Sequence, residues 1–218
     1  VEHTERLVAA SRELRDKLQR HPHRPRWHFV APEGMAMPFD PNGAIYWHGR
    51  YHLFYIYQDA RGHCWGHASS RDLVHWIHHP TPLAPEPGDV DRGMFSGNAF
   101  LNSSGVPTIM YHGVEAGNCL ALAEDDELLN WRKVAYNPIV PIPRPGQAEY
   151  GKYESWDPHG WREGDRYYAI FGGRKPTLFR STDLMKWDFC GPFLQTDREW
   201  VDGDEDISCP DFFRFGDR

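Results

Sequence analysis

Cysteine is scarce in this chain of 218 residues: Cys64, Cys119, Cys190 and Cys209 are the only four, and no two form a Cys-x-x-Cys pair. That spacing argues against a thiolate zinc site and leaves the redox compartment open. Long apolar runs are missing as well; nothing approaches the roughly 18 residues a membrane-spanning helix needs. No run of Lys or Arg forms a patch and the net charge is −7, which opposes binding to nucleic acid, where cationic side chains must replace counterions. There is no His-Glu-x-x-His among the 13 histidines, and His75, His78 and His79 beside Trp76 read as loop or core residues. A start methionine and a signal peptide are absent too. The chain begins at Val1 and stops at Arg218 inside what reads as a strand, so a fragment or processed product is expected. Compartment and oligomeric state are not read from it.

Aromatics are abundant, with 9 Trp, 10 Tyr and 12 Phe. They suit β-strands, and they also suit a sugar cleft, where flat rings stack on apolar sugar faces. Three of them mark a repeat. Trp76, Trp131 and Trp187 end the segments Ser-Arg-Asp-Leu-Val-His-Trp (70–76), Asp-Asp-Glu-Leu-Leu-Asn-Trp (125–131) and Ser-Thr-Asp-Leu-Met-Lys-Trp (181–187), spaced 55 and 56 residues apart. A period of that length filled with short strands predicts an all-β fold built from propeller blades of about four strands. The first strand of each blade then faces a shared channel, so acids distant in sequence can meet.

Hairpins fill the repeat. Ala44–Gln58 reads as two aromatic strands around His48-Gly49-Arg50, Ala99–His112 turns at Ser103-Ser104-Gly105, and Gly160–Phe171 turns at Glu163-Gly164-Asp165. Phe212–Phe215 is expected to open a fourth copy. Ahead of the repeats, 3–20 carries Leu7, Leu14 and Leu18 on one side of a short amphipathic helix, ended by His21-Pro22-His23-Arg24-Pro25.

A polar motif precedes each hairpin: Asp40-Pro41-Asn42-Gly43, Phe95-Ser96-Gly97-Asn98, Asp157-Pro158-His159-Gly160 and Cys209-Pro210-Asp211-Phe212. Taking Asp40, Ser96, Asp157 and Asp211 as anchors gives spacings of 56, 61 and 54 residues, which places all four at one funnel mouth. Each Asp-Pro could alone be turn chemistry. Recurring at equivalent entrances, they point to converging carboxylates, which suit glycoside hydrolysis: one attacks or stabilises the anomeric carbon and a second carboxyl protonates the leaving oxygen. That chemistry requires no metal and no cofactor.

The sequence resembles glycoside hydrolase family 32, the β-fructofuranosidases (invertases, levanases, inulinases). The resemblance rests on His23-Arg24-Pro25-Arg26-Trp27-His28-Phe29, Ala31-Pro32-Glu33-Gly34, Asp40-Pro41-Asn42-Gly43, Trp65-Gly66-His67-Ala68, Asp72-Leu73-Val74-His75-Trp76, Phe95-Ser96-Gly97, Asp157-Pro158 and Cys209-Pro210-Asp211-Phe212-Phe213. It implies a five-bladed propeller followed by a β-sandwich. Residues 1–26 would then be a helix and lead-in, and 27–218 a partial propeller of three blades and the edge of a fourth, lacking blade 5 and the sandwich. By the same resemblance Asp40 is the nucleophile of a retaining mechanism and Asp157 the transition-state stabiliser. Asn42, Trp65 and Ser96, with Phe95 and Trp156 beside them, would line the sugar subsite.

Three positions depart from the family. Phe39 stands where Asn usually precedes the nucleophile, Trp156 where Arg precedes the stabiliser, and Ser208 where the acid/base Glu precedes Cys-Pro-Asp. A serine hydroxyl holds its proton at neutral pH and cannot act as that acid. Asp206 and Glu205 lie two and three residues upstream, either as displaced acid/base or as solvated turn acids. In a regular strand Asp206 would share a face with Ser208 but sit roughly 6–7 Å along it, so a loop would be needed to bring it in. The leading expectation is hydrolysis of a sucrose- or fructan-like furanoside. The alternatives are a sugar-binding propeller without catalysis and a protein-interaction scaffold.

Overall fold

The computed structural model describes Ala9, Glu13, Asp16, Lys17, residues 20–23, 39–194 and 205–216. The helix expected over 3–20 falls largely, and the lead-in over 24–34 wholly, outside these residues. Within them, no helix is long and apolar enough to cross a membrane.

Among the described residues, thirteen strands form three antiparallel sheets in simple chain order. Sheet 1 comprises β1 (Phe39–Trp47), β2 (Arg50–Asp59), β3 (Gly62–Ser70) and β4 (Trp76–Leu83). Sheet 2 comprises β5 (Met94–Leu101), β6 (Pro107–Gly113), β7 (Gly117–Ala123) and β8 (Trp131–Lys133), with β9 (Val140–Pro141) also paired to β7. Sheet 3 comprises β10 (Pro158–Glu163), β11 (Arg166–Phe171), β12 (Thr177–Ser181) and β13 (Asp188–Pro192). The three expected hairpins fall at the expected turns.

Residues alternate between the two faces of each strand, and that alternation joins the sheets. Phe54 and Ile56 of β2 meet Ile109 and Tyr111 of β6 between sheets 1 and 2. Met110 of β6 and Leu120 of β7 turn the other way, onto Tyr167, Ala169 and Phe171 of β11. Sheet 2 is therefore covered on both sides, and every residue of β6 is buried. At about 1.5–3 kcal/mol per buried large apolar side chain, these two clusters hold the sheets together. The hydrogen bonds between sheets, worth about 1 kcal/mol each, fix their register.

The Trp-ended repeats are turns leading into the fourth strand. Ser70 Oγ accepts the amides of Asp72 and Leu73, and Asp72 Oδ1 accepts those of Val74 and His75. Ser181 and Asp183 repeat all four bonds. Leu73, Leu128 and Leu184 each hold a positive φ, of 63, 58 and 66°. Trp76, Trp131 and Trp187 each donate Nε1 to that leucine's carbonyl, at 3.1, 3.0 and 3.0 Å. The period seen in the sequence is thus one locked turn used three times.

The first strands lie side by side, β5 between β1 and β10. Asn98 of β5 clasps the backbone of Gly160 on β10, donating from Nδ2 to its carbonyl at 2.7 Å and accepting its amide at 2.8 Å. The fourth copy expected at Phe212–Phe215 forms no strand. A strand needs a hydrogen-bonded neighbour, and the described hydrogen bonds from sheet 3 to this segment run through side chains, His159 Nε2 on the Phe212 carbonyl at 2.9 Å and Arg214 on Glu163.

Candidate active site

The entrances of the first strands are irregular where the acids stand. The β1–β2 register slips between Phe39 and Pro41, and the β5–β6 register between Met94 and Gly97. Such bulges re-aim side chains, here those of Asp40 and Ser96. Gly97 makes the second slip feasible, since a Cβ there would lie 2.0 Å from the Met110 carbonyl oxygen. Asp40, Asp157 and Cys209 each precede a proline and each hold a positive φ, of 37, 26 and 51°. Non-glycine residues rarely adopt that region, and it concentrates at functional sites.

This shared kink corrects the register read from the sequence. The equivalent of Asp40 and Asp157 is Cys209, not Asp211. Asp211 instead lies exposed, with Oδ1 3.2 Å from His159 Nδ1.

Two hydrogen bonds, one on each acid, stand at the mouth. Ser96 Oγ, almost fully buried, donates to Asp40 Oδ2 at 2.7 Å. The Cys209 thiol donates to Asp157 Oδ2 at 3.4 Å. Desolvation, together with the charges of Asp157 and Asp40, pushes that thiol up to about 11, so it stays protonated and serves as a donor. Asp157 is 5% exposed. Burial raises its pKa first, and the charge of Asp40 adds to the rise, while the thiol and amide of Cys209 oppose it. Asp40 itself is exposed at the opening. The two acids therefore share one mouth, 117 positions apart in sequence.

Two expected subsite residues do other work. Trp65 is completely buried, with its ring in the core between sheets 1 and 2 and its Nε1 on the Phe95 carbonyl at 3.0 Å. It braces β5 from behind and does not line the opening. Asn42 is also buried; its Nδ2 donates to the Asp40 carbonyl at 2.8 Å and its Oδ1 accepts the Gly97 amide at 3.1 Å. Asn42 therefore positions the acid and ties β1 to β5.

Phe95 and Trp156, both part-exposed, meet edge to face with centroids 5.9 Å apart. His112 packs 4.2 Å from Trp156 and is lowered to about 4 by burial, hence neutral at pH 7. Trp156 Nε1 donates to Ser208 Oγ at 3.2 Å, and Ser208 Oγ donates to Asp206 Oδ1 at 2.7 Å. Residues 205–208 are not a regular strand, and this irregularity brings Asp206 onto the Ser208 hydroxyl. Glu205 and Asp206 are both exposed. The segment lies close because Gly172 has no side chain: a Cβ there would fall 2.8 Å from the Ile207 carbonyl oxygen and 3.1 Å from Pro210 Cδ. Among the described residues no three His, Cys, Asp or Glu side chains are grouped as a metal ion would require.

Cys209 was passed over by sequence reasoning. Its signal was the proline that follows it, as in Asp40-Pro41 and Asp157-Pro158.

Residues 28–218 match the family described as Glycosyl hydrolases family 32 N-terminal domain. The chain is 34% identical to a sucrose-6-phosphate hydrolase of Salmonella typhimurium, over 90% of this chain and 44% of that protein. It is 32% identical to a fructan 6-exohydrolase of Beta vulgaris, over 88% and 34%. A solved GH32 beta-fructofuranosidase of Bombyx mori superposes with a TM-score of 0.69 at 29% identity, covering 95% of this chain and 46% of that one; a variant of it in complex with sucrose gives 0.68. The chain spans less than half the length of these relatives.

Proposed function

Because the chain belongs to glycosyl hydrolase family 32, we propose that its three sheets are blades of a five-bladed propeller whose mouth hydrolyses a β-fructofuranoside with retention. The observation that carries this reading is that Asp40, held by Ser96, and Asp157, held by Cys209, stand close enough for the charge of Asp40 to raise Asp157. Asp40 attacks the anomeric carbon, held at the right angle by Ser96 and by Asn42 on its own carbonyl. Asp157 accepts sugar hydroxyls and strengthens its hold as oxocarbenium character develops. Asp206 gives the leaving oxygen its proton, then takes one from the water that releases the fructosyl group from Asp40; Glu205 is the neighbouring candidate. Part-exposed Phe95 and Trp156 supply stacking surface. The names of the relatives support sucrose, its 6-phosphate or fructan as substrate.

A second reading has its own observation. Ser208 stands where the family resemblance expects Glu, and Asp206 is exposed, whereas a general acid is usually kept protonated by burial. On that reading the mouth binds sugar without turnover. Hydrolysis of sucrose and nystose by the full-length protein and its Asp206→Asn and Ser208→Glu variants separates the two. Loss of at least 100-fold in kcat for Asp206→Asn supports the first reading. An inert wild type that gains turnover in Ser208→Glu supports the second. An inert pair that binds no sugar overturns both.

A further inference from the structure

A second cleft, of about 510 Å³, opens between sheets 1 and 2. It lies at the far end of β1 from Asp40: Trp47 and His48 border it, roughly 20 Å along the strand at about 3.3 Å per residue. Arg50 and Arg71 line one part, and Asp126 and Glu127, from the turn before β8, line another.

We infer that this cleft is a non-hydrolytic binding site for a neutral oligosaccharide. Charge balance is the first argument. Two guanidinium groups and two carboxylates share the lining, His48 Nδ1 lies 3.9 Å from Asp126 Oδ2, and the lining histidines His52 and His79 are lowered by desolvation, His52 to about 4, so these two carry no charge at pH 7. A phosphate would meet the two acids, and a cation would meet the two arginines. Nor do three metal-ligating side chains group here, among the described residues. A ligand rich in hydroxyls uses both kinds of partner, accepting from guanidinium N–H groups and donating to carboxylates.

Donor supply is the second argument. Arg50 spends Nε on Ser69 Oγ at 2.9 Å. Among the described residues neither Arg50 nor Arg71 has a carboxylate within ion-pair distance, so no acid holds their remaining donors. The third argument is the platform. His48 holds a positive φ of 44° in the hairpin turn, and its ring lies on that of Trp47 with centroids 4.3 Å apart and planes 13° apart. Such a flat pair offers the apolar contact that a sugar ring seeks. A cleft of this size falls within the range that encloses small ligands.

The site does not depend on hydrolysis, and its test keeps the two apart. The full-length protein carrying Asp40→Asn is titrated calorimetrically with nystose, maltotetraose, xylotetraose and inorganic phosphate. At least one tetrasaccharide is expected to bind at a site that Arg71→Ala with Asp126→Ala weakens tenfold or more. Both positions are exposed, so thermal unfolding of that variant stays unchanged, and in an Asp40-intact background its hydrolysis of sucrose stays at wild-type level. Tetrasaccharide binding that ignores the double substitution, phosphate binding lost on that substitution, or no tetrasaccharide binding at all would each overturn the inference.

Discussion

Replacing Lys133 by Met should cost the fold about 3–5 kcal/mol, the range for breaking a buried ion pair from one side. Lys133 Nζ reaches Asp91 Oδ1 and Oδ2 at 2.8 and 3.0 Å and Asp89 Oδ2 at 2.7 Å. The Asp91 side chain is 0% exposed and that of Lys133 is 15% exposed, so water cannot take over the lost contacts. At an effective dielectric of about 20, a unit pair at this distance attracts by about 6 kcal/mol, and desolvation of both ions offsets much of that. Removing only the cation leaves the desolvation of Asp91 in place, relieved by the Tyr111 hydroxyl at 2.8 Å. The deficit is measured by urea denaturation of the full-length protein at pH 7. A deficit below about 1 kcal/mol would refute this account. Asp91→Asn in the same background should recover part of the loss.

Three further outcomes follow from the geometry. His52 and His67 meet at 2.9 Å in the core and are lowered by desolvation to about 4 and about 2. The unfolded chain gains protons first as pH falls below 6.5, so stability drops from there toward pH 4. His52→Asn should flatten that slope by about 1.4 kcal/mol per pH unit, read from denaturation midpoints across the range. Gly172→Ala should displace the 207–210 segment from Asp157 and lower kcat at least tenfold, more than its effect on thermal stability explains. Ser96→Ala should free the Asp40 carboxylate and reduce kcat while leaving KM within about threefold, a split that steady-state kinetics would detect.

Much of the fold was legible because its signals are local. Each hairpin announces itself by a turn glycine between alternating strands, and the Trp-ended segments repeat because Ser70 and Ser181 cap the same turn. The meeting of Asp40 and Asp157 was also readable, since both stand one residue before a proline at a strand entrance. What escaped was decided by facing and register. Trp65 looks the same in sequence whether it lines a wall or fills a core; its pairing opposite Ile56 turns it inward. Asn42 could have been a sugar ligand, yet both ends of its amide are taken by backbone. Asp211 attracted attention by its charge, while the backbone conformation that defines the entrance belongs to Cys209. Whether Asp206 reaches Ser208 depended on irregular chain, which periodicity does not encode.

The kink before each proline sets a limit on which residues these entrances tolerate. A β-branched side chain at 40, 157 or 209 would clash with its own backbone at these φ values, whatever its chemistry. Saturation libraries scored only for soluble expression should therefore reject Val and Ile at all three places and admit Asn, Asp and Gly. Selection for folding alone thus narrows the alphabet at the mouth to small and polar residues, before any demand for turnover is imposed.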